Sequence, residues 1–216
     1  MDDDKYQDLF LQIAPIHLKE PLAETLGIFK GEPATLEYSF IDLVKMAGHA
    51  CPTVAGAYLC CQAALQELYG GEIPVRGEIS VTVHGDMDDG VYGVMGQAIG
   101  YITGAAPASG FRGLGHRFKR KDLLRYGGES LDPEGMCFEF NRSDGGKSVL
   151  VTFYPQRVPF AKEKDPRLSE LLEKVIWEAA NENEKHEFQQ LWIERVRLML
   201  LEKKDIDRWL AIKQRS

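Results

Sequence analysis

Between Gly48 and Leu68 the chain reads GHACPTVAGAYLCCQAALQEL, and this stretch constrains the fold more than any other. The spacing predicts a helix over about 53–69, with Val54, Ala57, Tyr58, Cys61, Leu65 and Leu68 as its buried stripe. Pro52 suits the first helical position, where its missing N–H would be unpaired in any case. Cys51 then falls at or near the N-cap, with the free amides of Thr53, Val54 and Ala55 turned toward its sulfur. Unpaired amides and the positive helix end favour a thiolate. His49 precedes it by two residues, so a nitrogen and a sulfur donor stand together at the helix mouth. The alternatives at this stage are half of a transition-metal site, or a small buried cysteine beside a hydrogen-bonded histidine.

The rest of the composition narrows the classes. With 216 residues, 44% hydrophobic and 27% charged, the chain is long enough for one sizeable globular domain, or for one domain plus an appendage. A net charge of −7 gives no global basic field for nucleic acid or an anionic membrane. The acidic start MDDDKYQDLF lacks a secretory pattern and no apolar run reaches the ~20 residues of a membrane span, so a cytoplasmic protein is expected. The cysteines Cys51, Cys60, Cys61 and Cys137 form neither a disulfide framework nor a CxxC zinc ribbon. Redox pairing is disfavoured too: Cys51 and Cys60 stand roughly 13 Å apart along the helix.

Along the chain, helices are expected at 3–14 (Tyr6, Leu9, Phe10 and Ile13), from Pro21 to a stop at Gly27, and at 38–47, broken by Gly48. Residues 27–34 read as a loop. Residues 75–84 alternate as a strand, with Ile79, Val81 and Val83 on one face and Ser80, Thr82 and His84 on the other. Residues 90–104 place Gly93, Gly96, Gly100 and Gly104 on one helical stripe, which implies close backbone packing against the organising helix or across a dimer axis. Each glycine there costs about 1 kcal/mol of helix propensity. A glycine-rich, then basic, segment follows, with Arg112, His116, Arg117, Lys119, Arg120 and Lys121; it is either a solvated loop or a cradle for a phosphate or carboxylate, with Arg112 and Arg117 as ligand-binding candidates. Strands are expected at 135–141 and 148–154 around the turn RSDGGK. After the proline-rich PQRVPFAKEKDP come helices at 167–180 and 185–203 and a last short one holding Ile206, Trp209 and Leu210. The fold expected is α+β: a single mixed domain, 1–158, with antiparallel strands packed on helices, plus a C-terminal helical extension, 159–216.

The segments GHACPTVAGAYL, TGAA, GFRGLGHRF and LLRYG resemble the E-subunit domain of formylmethanofuran dehydrogenase, and more narrowly a stand-alone relative of it, over roughly residues 20–160. The resemblance implies an α+β domain, a tendency to homodimers, and a divalent metal, usually zinc, held through a His-x-Cys-Pro motif by His49 and Cys51. Iron and nickel accept the same mixed donors. The family pattern has a cysteine directly after the Thr–Gly pair where this chain carries Ala105, so its further ligands are not carried over. His84 and His116 are the expected substitutes, on chemistry alone. A partly open site would let the metal act on a small molecule with Asp86 or Asp88 as base. The competing expectation is a non-enzymatic binding or assembly module with a structural metal or none.

Overall fold

The computed structural model describes residues 4–28, 34–127 and 130–215, with side chains from residue 8 onward. Its elements run, in order, α1 (Asp4–Leu11), β1 (Ile16–Lys19), α2 (Pro21–Thr25), β2 (Thr35–Tyr38), α3 (Phe40–Ala47), α4 (Pro52–Tyr69), β3 (Ile79–His84) and α5 (Gly90–Thr103). They continue with β4 (Gly113–Leu114), β5 (Phe118–Lys119), β6 (Leu124–Tyr126), β7 (Met136–Arg142), β8 (Ser148–Phe153), α6 (Lys164–Ile176), α7 (Glu182–Arg197), α8 (Ile206–Trp209) and β9 (Leu210–Arg215). The fold is α+β. A five-stranded sheet has the order β6-β3-β7-β8-β9, with β3 and β6 parallel and the other neighbours antiparallel.

Alternation sets the two faces of this sheet. Val81 and Val83 stand opposite Phe140 and Phe138, which stand opposite Val149 and Val151, and with Ile79 these buried side chains make the inner face. Helix α4 lies against that face, so it is covered by the sheet on one side and by α3 and α5 on others. This explains why Cys60, Ala64 and Gly56 are buried along with the expected apolar stripe. Gly56 meets the ring of Phe153 so closely that a Cβ there would lie 2.5 Å from Phe153 Cε1.

The glycines of α5 face elsewhere. A Cβ on Gly96 would lie 2.1 Å from Tyr126 Oη, and one on Gly100 would lie 2.7 Å from the Ala105 carbonyl oxygen. Gly96 and Gly100 are therefore met by Tyr126 of β6 and by the start of the connection that follows α5.

Several expectations need amendment. The side chain of Tyr6 and residues 29–33 of the expected loop lie outside the described residues. The strands β1 and β2 pair antiparallel, Ile16 opposite Tyr38, and are not legible in the sequence because four residues give too little alternation. The chain from 159 onward is not all helical: β9 runs antiparallel to β8 with Leu210 opposite Phe153. Trp209 ends the helix before it, buried against Phe153 at 6.3 Å between ring centroids. The aromatic tail is thus covered by its own domain. Residues Leu198–Glu202, expected as plain α-helix, wind as a turn of π-helix ended by Lys203 in the left-handed conformation.

A buried ion cluster ties distant segments together. Glu20 Oε1 accepts from Arg120 Nη2 at 2.5 Å and its Oε2 from Arg76 Nη1 at 3.0 Å. Arg76 also donates to the carbonyls of Tyr101 and Ile102, capping the last turn of α5. Gly77 and Gly104 have positive φ and pack flat on the Arg120 guanidinium, leaving no room for a Cβ at either position.

Candidate functional site at the mouth of α4

Four residues, Gly48 to Cys51, bridge α3 and α4. Gly48 ends α3 at φ 76°, a conformation natural to glycine, and turns the chain outward. Cys51 is extended at φ −149° and ψ 166° and is the N-cap of α4. Its sulfur accepts the Val54 N–H at 3.4 Å, the role a serine or aspartate oxygen more often fills. Pro52 stands at the first helical position, as expected. The cysteine is 6% exposed, whereas His49 is exposed to solvent. His49 Nδ1 lies 2.9 Å from the Ala47 carbonyl oxygen, which leaves Nε2 as the free nitrogen. Trp192 of α7 donates its indole N–H to the Ala50 carbonyl at 2.8 Å, so the C-terminal helices hold this loop from the side. Nothing in the sequence marks that contact, because it joins residues 142 positions apart.

The other expected donors lie elsewhere. His84 ends β3 on the outer face of the sheet, with the inner face and its core between it and α4. Its Nε2 is 3.4 Å from Glu139 Oε2, and its Nδ1 is buried without a partner among the described residues. Glu139, rather than Asp86 or Asp88, is therefore its carboxylate neighbour; both aspartates are exposed in the turn that follows β3. His116 is exposed at the tip of the β4–β5 hairpin. Among the described residues, no group of three or more His, Cys, Asp or Glu side chains gathers where it could hold a metal. The four expected ligands do not form one cluster: the sheet sets His84 apart, and the hairpin carries His116 outward.

The basic segment forms a cavity of about 550 Å³ lined by Arg112, His116, Lys119 and Lys121, with Asp122 at its edge. Lys119 pairs with Asp122 at 3.5 Å. Arg112 faces the cavity, whereas Arg117 lies over the Phe118 ring at 5.2 Å. Arg120 is withdrawn from the basic set by Glu20.

The remaining thiols are sealed. Cys60 and Cys61 are fully buried, and burial pushes both well above the ordinary thiol range. Cys137 is buried with its sulfur 3.5 Å from Thr152 Oγ1. These three serve packing, since buried apolar surroundings keep a thiol protonated and inert.

A layered α+β domain with a cysteine-capped central helix defines the class of protein. The family model described as "FmdE, Molybdenum formylmethanofuran dehydrogenase operon" matches residues 46–206, about three quarters of the chain, and the chain belongs to this family. The match begins two residues before Gly48 and reaches through α6 and α7 into the tail. A search of curated proteins finds no match. Among the described residues no helix is long and apolar enough to cross a membrane.

Proposed function

We propose that the protein is a cytoplasmic divalent-metal-binding protein with its ion at the mouth of α4, held by His49 and Cys51. The observation that carries this reading is the division of labour in the loop. Cys51 has its sulfur oriented by the Val54 amide, while His49 turns Nδ1 to its own backbone and keeps Nε2 free. Metal-bound histidines are commonly oriented in this way, with the second ring nitrogen on a carbonyl. One sulfur and one nitrogen suit zinc, and also iron or nickel. They fill two of about four positions. In this reading the others fall to water, to a small-molecule substrate, or to a second copy of the chain in a homodimer. Such an ion would supply Lewis acidity or a bound hydroxide. The chain's own contribution is to fix the two donors, with Trp192 steadying the loop between them. The basic cavity beside Arg112 offers a small anion a place to bind by charge.

The protein as isolated is expected to carry close to one metal per chain by elemental analysis. Cys51→Ser is the informative variant, because serine caps a helix as well as cysteine does but is a poor soft donor. It is expected to fold normally and to lose the metal, as is His49→Ala. Metal-free wild-type protein, or a metal retained in both variants, would overturn the reading.

A second reading, a non-enzymatic binding or assembly module, is favoured by the exposed Ile176 and Trp177 at the end of α6, the latter 80% accessible. X-ray absorption at the metal edge separates the two. A coordinated water supports the open site, and a shell closed by protein donors supports the module.

A further inference from the structure

A cavity of about 450 Å³ opens between the middle of α4, the start of β1 and the segment leading to β9. It lies about eleven residues down α4 from Cys51, on the order of 16 Å along the helix axis, and is separate from the site above. Its walls are mixed: Ile16, Leu59, Leu65, Ile206 and Leu210 supply the apolar part, and His17, Gln62, Gln66 and Glu72 the polar part. Among the described residues, Lys203 is the one lysine or arginine that lines it. Its Nζ donates to Gln62 Oε1 at 3.3 Å, and Gln62 is held in turn by donating to the Ala14 carbonyl at 2.8 Å. No carboxylate among the described residues pairs with Lys203. Glu72, at the rim, is turned toward Arg142 at 3.9 Å.

The backbone here is unusual in a second, independent way. Lys203 sits at φ 47° and ψ 32°, closing the π-turn, and Asp205 sits at φ 50° and ψ 35°. Both are left-handed conformations that glycine adopts freely and lysine rarely does. A glycine at 203 would end the π-turn with less strain. Strained backbone and π-turns cluster where a side chain must be held in place for binding. Burial also draws the Lys203 ammonium below the ordinary lysine range. A partly buried cation whose hydrogen-bond partner is a neutral amide leaves a charge for a ligand to satisfy.

We propose that this cavity binds a small monocarboxylate with an apolar body, its carboxylate on Lys203 and its hydrocarbon part against Leu59, Leu65 and Ile206. A single cation selects one negative charge over a polyphosphate, and the volume lies within the roughly 300–1,000 Å³ common for small-ligand sites.

The test uses octanoate as the probe and 1-octanol as its uncharged counterpart, with binding followed by amide shifts in the full-length protein. Octanoate is expected to bind and to perturb Gln62, Lys203 and Ile206 together. Lys203→Met is expected to weaken it by about tenfold or more, as loss of a charge-assisted hydrogen bond does, while leaving 1-octanol unchanged. Lys203→Arg is expected to restore most of the difference. Ala63→Trp, which fills the cavity and keeps the cation, is expected to abolish binding of both probes, and it decides the matter if Lys203→Met does not fold. Octanoate binding no tighter than 1-octanol, or undiminished by Lys203→Met or Ala63→Trp, would overturn the proposal. His49→Ala is expected to leave octanoate binding intact, so failure at the metal site would not be mistaken for failure here.

Discussion

The indole N–H of Trp192 is bonded at 2.8 Å to the carbonyl of Ala50, the residue between the two candidate metal donors. A helix from the last quarter of the chain thus sets the position of a loop formed near residue 50. Trp192→Phe keeps an aromatic ring and removes the N–H. We expect it to cost about 1 kcal/mol of stability and to weaken the metal roughly tenfold. Competition titration with a chromophoric chelator would measure this; unchanged affinity would show that the loop holds its shape alone.

The approach of Gly56 to Phe153 makes a second expectation. Alanine ordinarily stabilises a helix interior by about 1 kcal/mol over glycine. Here its methyl group would run into the ring of Phe153, itself only 1% exposed. Gly56→Ala is expected to be net destabilising, by about 1–3 kcal/mol in denaturant titration.

The Glu20–Arg120 pair is the third. Removing the guanidinium leaves a carboxylate buried with only Arg76 beside it. Arg120→Met is expected to cost roughly 3–5 kcal/mol in thermal or denaturant unfolding. Replacing Glu20 by Gln together with Arg120 by Met should cost less than the sum of the single changes, because the orphaned charge is then gone.

Four ion pairs join helices α6 and α7. Lys164 pairs with Glu194 at 2.7 Å, Arg167 with Glu187 at 2.6 Å, Lys174 with Glu184 at 2.7 Å and Arg195 with Asp165 at 2.7 Å. The hydrogen bond from Lys174 holds Glu184 below the ordinary glutamate value of 4.5, and that from Arg167 does the same for Glu187. A folded-state value below the unfolded one contributes stability above about pH 4.5, and that contribution is lost as the pH falls through the folded-state value. Hydrogen exchange is therefore expected to rise first in residues 164–197, on acidification and in about 1 M salt, with β7 and β8 still protected. Simultaneous loss of protection in both regions would show that the helices have no separate stability.

Much of this fold is readable where one pattern runs long enough. The α4 helix, its Pro52 start and its Cys51 cap follow from local chemistry, and so does the β7–β8 hairpin. The strands β1, β2 and β9 do not, because four to six residues of mixed polarity carry no period of their own and become strands only through their partners. The site divides in the same way. His49 and Cys51 share the one short loop ahead of α4, His49 exposed and Cys51 buried at the cap. His84 and His116 have only their chemistry to recommend them, and the sheet and the hairpin carry them elsewhere. Lys203 falls within an expected helix, and a left-handed residue leaves no trace in an apolar periodicity.

The glycine face of α5 has a consequence for assembly. Such a face commonly lets two helices from different molecules meet at backbone distance, yet here Tyr126 and the Ala105 carbonyl already occupy Gly96 and Gly100. A helix from a second copy laid on Gly96 would first have to expel a tyrosine of this chain. The spacing of Gly96 and Gly100 therefore records a close approach within the chain, and the geometry of a dimer cannot be read from it.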